Sequence, residues 1–362
     1  MRIWFDLYSL YYWPQYEPVY NELISRGHEC RIVAYRGDLK DDLLEAFFTN
    51  QGKHLPVDFI KEKDALSYYQ EKSPDWIIFG NGSFTETKAL NKNTKTALLY
   101  HGIGVKSCYY SETLSIYDIR FTEGHFRQLQ LANMFPSVNF SEVGFAKLDP
   151  LFNDQLTNSV NLESLGLDSS KQTLLYAPTF YPSSIERMPK HWPEIFSDLN
   201  IIIKPHFFSL SKPQYSRQQK LFKQWANYKN VYLAPATSLS LLPYMEIADV
   251  LLSEASSALF EFSALNKPVI WLDFLQLRWG YRGPLKFRLR NRMDTTIDPY
   301  RDIALHVPAP KHLEKSVRGQ LANPMQYLQA RQRATVELIG KTDGKVSVRI
   351  ADSLERFIGP SV

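Results

Sequence analysis

Cysteine is nearly absent. Of 362 residues only Cys30 and Cys108 are cysteines, too few for a disulfide framework or a zinc cluster. Two isolated thiols fit a reducing compartment, and a secreted origin finds no support. Long apolar runs are missing as well: nothing approaches the ~20 apolar residues of a spanning helix, and the N-terminal MRIWFDLYSLYYW is broken by Asp6 before a signal-peptide core develops. The chain therefore reads as cytoplasmic, either soluble or peripheral at the inner face of a membrane. Charge of one sign is also not in large excess. A formal net charge of +4 does not indicate a nucleic-acid partner.

Several motifs are missing too. There is no G-x-x-x-x-G-K-[ST] phosphate loop, no G-x-G-x-x-G opening a helix after the first strand, no G-x-S-x-G elbow and no Asp-x-Asp pair. The expectation is a site that uses no metal and no cofactor. What is present describes a globular protein rich in rings: 44% hydrophobic, 22% charged, 14% aromatic, with 21 Tyr and 22 Phe. The length suits two domains, each able to bury its own core.

Short apolar runs alternate with helical segments along the chain. Strands are expected at 2–7, 30–35, 57–61, 75–81, 96–102, 118–124 and 138–144, with a helix over 16–25 that stops at Gly27. A polar stretch, LTNSVNLESLGLDSSKQ, follows Asp149, and then the alternation restarts. Strands are expected at 173–180, 200–207, 230–235, 248–255 and 267–273, and helices near 187–197, 213–227, 238–247, 256–264, 311–321, 324–339 and 344–358. The pattern predicts an α/β protein of two Rossmann-like parallel-sheet domains facing across a cleft, 1–158 and 159–325. Helices of 326–362 would pack back across the junction.

Residues 249–273, DVLLSEASSALFEFSALNKPVIWLD, combine strand, small-residue turn, helix and strand. Such a turn leaves free N–H groups at the helix start, where an anion is favoured, and Ser256 and Ser257 stand there. Glu261 lies one turn further along, where it could accept ribose hydroxyls. His101 ends the apolar run TALLY and precedes Gly102, with Gly104 close behind, at the sheet edge where α/β proteins take ligands. Imidazole suits proton transfer there. His206 repeats the arrangement after IIIKP, with Lys204 two residues earlier on the same side; together they could neutralise a phosphate. Thr179, after Pro178, could offer a hydroxyl to an anion. Each residue also has a plain structural reading, as a cap, a turn or a surface cation.

The blocks YHGIGVK, VGFAKLDPLF, LLYAPTF, KPH, ADVLLSEASSALFEFSALNKPVIWLD and TDGKVSVRIADSLERFI, in that order, resemble the CDP-glycerol glycerophosphotransferases that build teichoic-acid and capsule polymers. The resemblance runs from about residue 96 to 358. It implies a GT-B fold and transfer of glycerol phosphate from CDP-glycerol to a hydroxyl of a lipid-linked or polymeric glycan acceptor, with release of CMP. It further implies that His101 is the general base and that His206, with Thr179, Ser256 and Ser257, holds the pyrophosphate, while Glu261 lies by the ribose. Where the family commonly reads T-D-Y-S-S this chain has Ser253-Glu254-Ala255-Ser256-Ser257, so Ser253 and Glu254 would line an altered base or polyol pocket. His-Gly-Ile-Gly replaces the common His-Gly-Thr-Pro.

Other readings stay open: a CDP-ribitol or other CDP-polyol donor, a UDP-sugar transferase or 2-epimerase on the same fold, and a non-catalytic protein that binds anionic polymer or lipid. The basic stretch LRWGYRGPLKFRLRNR places Arg278, Arg282, Lys286, Arg288, Arg290 and Arg292 around Trp279 and Tyr281. It could meet an anionic membrane surface, substrate phosphates, or only solvent.

Overall fold

The computed structural model describes residues 1–37, 41–50, 55–103, 107–156, 160–277, 279–285, 287–288, 291 and 294–358. Gly104, Arg278, Lys286, Arg290, Arg292 and the boundary expected at 158/159 lie outside the described residues. Contacts divide the chain into two units, one of Met1–Ile103, Cys108–Gln155 and Val336–Val362, the other chiefly Leu156–Thr335.

The first unit is built on β1 (Arg2–Leu7), β2 (Glu29–Arg36), β3 (Val57–Lys61), β4 (Trp76–Phe79), β5 (Lys95–Leu99), β6 (Ile119–Thr122) and β7 (Phe140–Glu142). All pair in parallel, in the order β3-β2-β1-β4-β5-β6-β7. The central strands read as unbroken apolar runs because both their faces are covered: Ile3 to Phe5, Trp76 to Phe79 and Ala97 to Leu99 are all buried. Chain order reverses between β1 and β4, which opens a crevice at their C-terminal ends.

Helix Val346–Ile358 belongs to this unit, although just over two hundred residues separate it from β7. Its first N–H groups need acceptors. Asp149 supplies them, taking Val346 N–H on Oδ1 at 3.0 Å and both Ser347 N–H and Ser347 Oγ–H on Oδ2 at 2.7 Å. Arg26, just after helix Trp13–Ser25, holds the far end through Asp352 at 2.7 Å and Glu355 at 2.8 Å.

The second unit repeats the plan with β8 (Thr173–Tyr176), β9 (Asn200–Ile203), β10 (Val231–Leu233), β11 (Val250–Ser253), β12 (Val269–Leu272) and β13 (Leu305–Val307). They are parallel, in the order β10-β9-β8-β11-β12-β13, so this sheet turns between β8 and β11. The edge strand β13 was not expected; it is three residues long with His306 in its middle, which leaves no apolar run to read. Two expected helices are shorter. Instead of 187–197 there is a tight turn at Ile185–Arg187 and a helix Trp192–Ile195, because Pro189 and Pro193 break the span. Instead of 324–339 there is helix Leu328–Ala334 followed by a wider turn over Thr335–Ile339.

Candidate active site

In the first unit β5 ends at Leu99, and the chain passes through Tyr100 to a half-buried His101 beside the end of β4. There His101 Nδ1 donates to the Gly80 carbonyl at 2.8 Å. A carbonyl can only accept, so Nδ1 carries the proton and the neutral ring keeps its lone pair on Nε2. That is the tautomer of a base. Tyr12 stacks on the imidazole with centroids 4.3 Å apart and planes at 19°, Tyr100 stacks at 4.9 Å and 19°, and Tyr11 meets it edge-on at 5.1 Å. Gly102 follows, half-buried.

Two buried carboxyls stand at other strand ends of this sheet, on β1 and after β6. Asp6 of β1 accepts from the Tyr35 hydroxyl and, at 2.7 Å, from the Tyr69 hydroxyl; burial nevertheless pushes its pKa up to about 6. Glu123, directly after β6, accepts from the Tyr109 hydroxyl, and burial pushes it up to about 7. The Tyr109 ring lies 4.5 Å from that of Tyr100, which in turn stacks on His101. Sequence reasoning alone does not find Asp6, Glu123, Tyr12 or Gly80. The available signals are faint: an acid inside an apolar strand, and a loop with four tyrosines or tryptophans within residues 8–13.

In the second unit the 249–273 stretch forms β11, a turn, helix Ser257–Ser263 and β12, as its residue pattern predicts. Ser256 caps the helix, its Oγ accepting the Ala258 N–H at 3.1 Å. Ser257 opens the helix half-buried, and Ser253 Oγ donates to the Ala177 carbonyl at 2.6 Å. Glu254 is buried and turned toward the loop after β8. It accepts the Thr179 N–H at 2.7 Å, the Ser184 N–H at 2.6 Å and the Ser184 hydroxyl. Burial raises its pKa, and these hydrogen bonds oppose the rise. Thr179 Oγ1 donates to the Pro182 carbonyl at 2.6 Å. Both the N–H and the hydroxyl of Thr179 are therefore donated inside the loop, and Glu254 braces that loop. Glu261 is 0% exposed.

His206 precedes the short helix Phe207–Ser211, and its Nδ1 accepts the Phe208 N–H at 3.1 Å. The neutral ring then carries its proton on Nε2, as a donor. Its ring lies 4.7 Å from that of Phe180 and 5.1 Å from that of Phe208, and the backbone N–H of His206 donates to the Pro178 carbonyl at 3.2 Å. Lys204, two residues earlier, is buried, with Nζ 3.5 Å from the Pro205 carbonyl. The ends of β8, β9 and β11 thus gather Thr179, Lys204, His206, Ser253, Glu254 and Ser256, while Glu261 stays beneath them. Of the basic stretch, Trp279 is 83% exposed with the Arg282 guanidinium 5.1 Å from its ring centroid. Among the described residues no cluster of three or more His, Cys, Asp or Glu side chains could hold a metal ion.

Two Rossmann-like domains with polar side chains at their strand ends define a GT-B-like α/β protein, and solved structures share that fold. The wall teichoic acid polymerase TagF superposes with a TM-score of 0.67 at 17% identity, over 99% of this chain and 88% of that one. UDP-GlcNAc 2-epimerase from Neisseria meningitidis superposes at 0.66 with 14% identity, over 98% of this chain and 100% of that one. The family resemblance is found independently in the sequence: the model of the CDP-Glycerol:Poly(glycerophosphate) glycerophosphotransferase family matches residues 108–274. Teichoic acid glycerol-phosphate primase of Bacillus subtilis (strain 168) is 24% identical over 234 residues, 57% of this chain and 58% of that protein. The match thus spans little more than half the length of that curated relative. The family match takes in every candidate from Thr179 to Glu261 and leaves His101 and Gly102 outside it.

Proposed function

We propose that the chain transfers glycerol phosphate from CDP-glycerol to a hydroxyl of a lipid-linked or polymeric cell-surface glycan, releasing CMP. The family match over 108–274, which contains all the polar strand ends of the second unit, carries this reading. The two imidazoles support it with complementary tautomers. His101 Nε2 would take the acceptor hydroxyl's proton as the new oxygen–phosphorus bond forms. His206 Nε2–H, with Lys204 and the Ser256–Ser257 turn, would neutralise the phosphate oxygens as the bond to CMP breaks. Such in-line transfer asks mainly for positioning and charge neutralisation.

A UDP-sugar reaction is the second reading, since the 2-epimerase fold superposes about as well as TagF; a shared fold by itself assigns no chemistry. CDP-ribitol is the alternative donor. We further infer a peripheral position at the inner face of the membrane. No helix among the described residues is long and apolar enough to cross one, while the exposed Trp279 and Phe287 beside Arg282 and Arg288 suit an anionic interface.

The test offers CDP-glycerol, CDP-ribitol and UDP-sugars in turn, with a glycerol phosphate oligomer as acceptor, free or displayed on anionic or neutral vesicles. CMP release from CDP-glycerol, abolished in His101→Ala and faster on anionic vesicles, is expected. Release of UDP alone would overturn the donor class, and equal rates on both vesicle types would remove the membrane inference.

A further inference from the structure

The loop after β1 places its rings against His101. We propose that Tyr12 is a positioning residue for His101, holding the imidazole by face-to-face stacking and stabilising the imidazolium formed when Nε2 takes a proton. This rests on the reading of His101 as general base.

Three observations meet at this point. Tyr12 is 3% exposed and lies nearly parallel to the imidazole at 4.3 Å, so the π face meets whatever charge the ring acquires. Gly80, whose carbonyl fixes the tautomer, has no room for a side chain: a Cβ there would sit 2.7 Å from Tyr12 Cδ2 and 2.8 Å from Tyr16 Oη. The bare glycine lets carbonyl and phenol reach the imidazole together. Tyr16, fully buried, donates to the Asp6 carbonyl at 3.0 Å and lies 3.3 Å from the Ile78 carbonyl, pinning β1 to β4 beneath the stack.

The rings that stack on or meet the imidazole belong to three tyrosines. Tyr11 and Tyr12 come from the loop after β1 and Tyr100 from the end of β5; burial raises the pKa of all three, so they stay neutral. Behind Tyr100 stand Cys108, 3.4 Å from its hydroxyl, and the Tyr109–Glu123 pair. Neutral phenol rings stacked on the imidazole favour the imidazolium through their π faces.

The experiment uses the full chain with labelled histidine. NMR titration follows the imidazole resonance missing from His101→Ala, in wild type, Tyr12→Leu, Tyr12→Phe and Gly80→Ala, beside pH profiles of CMP release. Tyr12→Leu should lower the His101 pKa by about half a unit to one unit, move the acid limb of kcat/KM to lower pH by the same amount, and cut kcat about tenfold with donor KM unchanged. Tyr12→Phe should restore the wild-type titration. Gly80→Ala, which displaces the ring without removing it, should shift the titration in the same direction, and it serves if Tyr12→Leu fails to fold. A His101 titration unchanged in whichever of these two variants folds overturns the proposal. Wild-type CMP release by His101→Ala would instead remove the general-base reading, and would do so whatever the titrations show.

Discussion

The two histidines share one feature, each standing just past the C-terminal end of a parallel strand, yet their surroundings fix opposite tautomers of the neutral ring. In the first unit a carbonyl takes the Nδ1 proton of His101 and aromatic rings hold the imidazole. In the second, a backbone N–H occupies Nδ1 of His206, and a buried carboxylate braces the neighbouring loop. A neutral His101 thus has its acceptor at Nε2, and a neutral His206 its donor there. Residue type at a strand end therefore says little about role; the partner of the opposite ring nitrogen decides it.

Glutamine substitutions break this comparison most sharply. A glutamine amide can donate a hydrogen bond from about the position of Nε2–H, but it cannot take up a proton. His206→Gln should keep a fraction of CMP release, losing about ten- to a hundredfold, whereas His101→Gln should lose ~10³-fold or more, within the range of general-base contributions. Steady-state rates with CDP-glycerol check this. Equal losses in the two variants would remove the difference in role.

The sheets were legible in the sequence because a strand covered on both faces must be apolar throughout, as WIIF and VLLS are. The strand-end placement of His101 and His206 was legible for the same reason, since each stands two or three residues past such a run. The helix expected at 187–197 fails where prolines interrupt the span, at 189 and 193. What the sequence could not disclose are pairings across strand ends. Glu254 takes its partners, Thr179 and Ser184, from about seventy residues earlier. Tyr12, Gly80 and His101 meet only because β1, β4 and β5 are neighbours in the sheet.

Glu254 offers the next test, confined to the braced side. Glu254→Ala removes the acceptor of two N–H groups and one hydroxyl in a buried loop, and each donor left unpaired costs about 1 kcal/mol or more. A loss of roughly 3 kcal/mol in urea unfolding is expected, with a raised donor KM. The His101 titration should not move, because the aromatic side does not depend on this brace. A change in both would mean that the two histidine sites are not independent in the way their local contacts suggest.

The smallest effect concerns Glu123, behind the aromatic wall of His101. Its Oε2 has no hydrogen-bond partner among the described residues, and the carboxyl is raised from 4.5 to about 7 chiefly by burial. A carboxyl whose folded pKa is raised binds its proton more tightly in the folded state, so the stability it contributes is present below pH 4.5 and is lost as pH rises toward 7. Glutamine resembles the protonated form and does not titrate. Glu123→Gln should therefore match wild type near pH 4.5 and become progressively more stable relative to it, reaching roughly 3 kcal/mol by pH 7 and levelling off above. Urea unfolding at a series of pH values reads this difference directly. A gap that stays constant across the series would mean that Glu123 is ionised throughout, and the wall beside His101 would then have a fixed negative charge behind it.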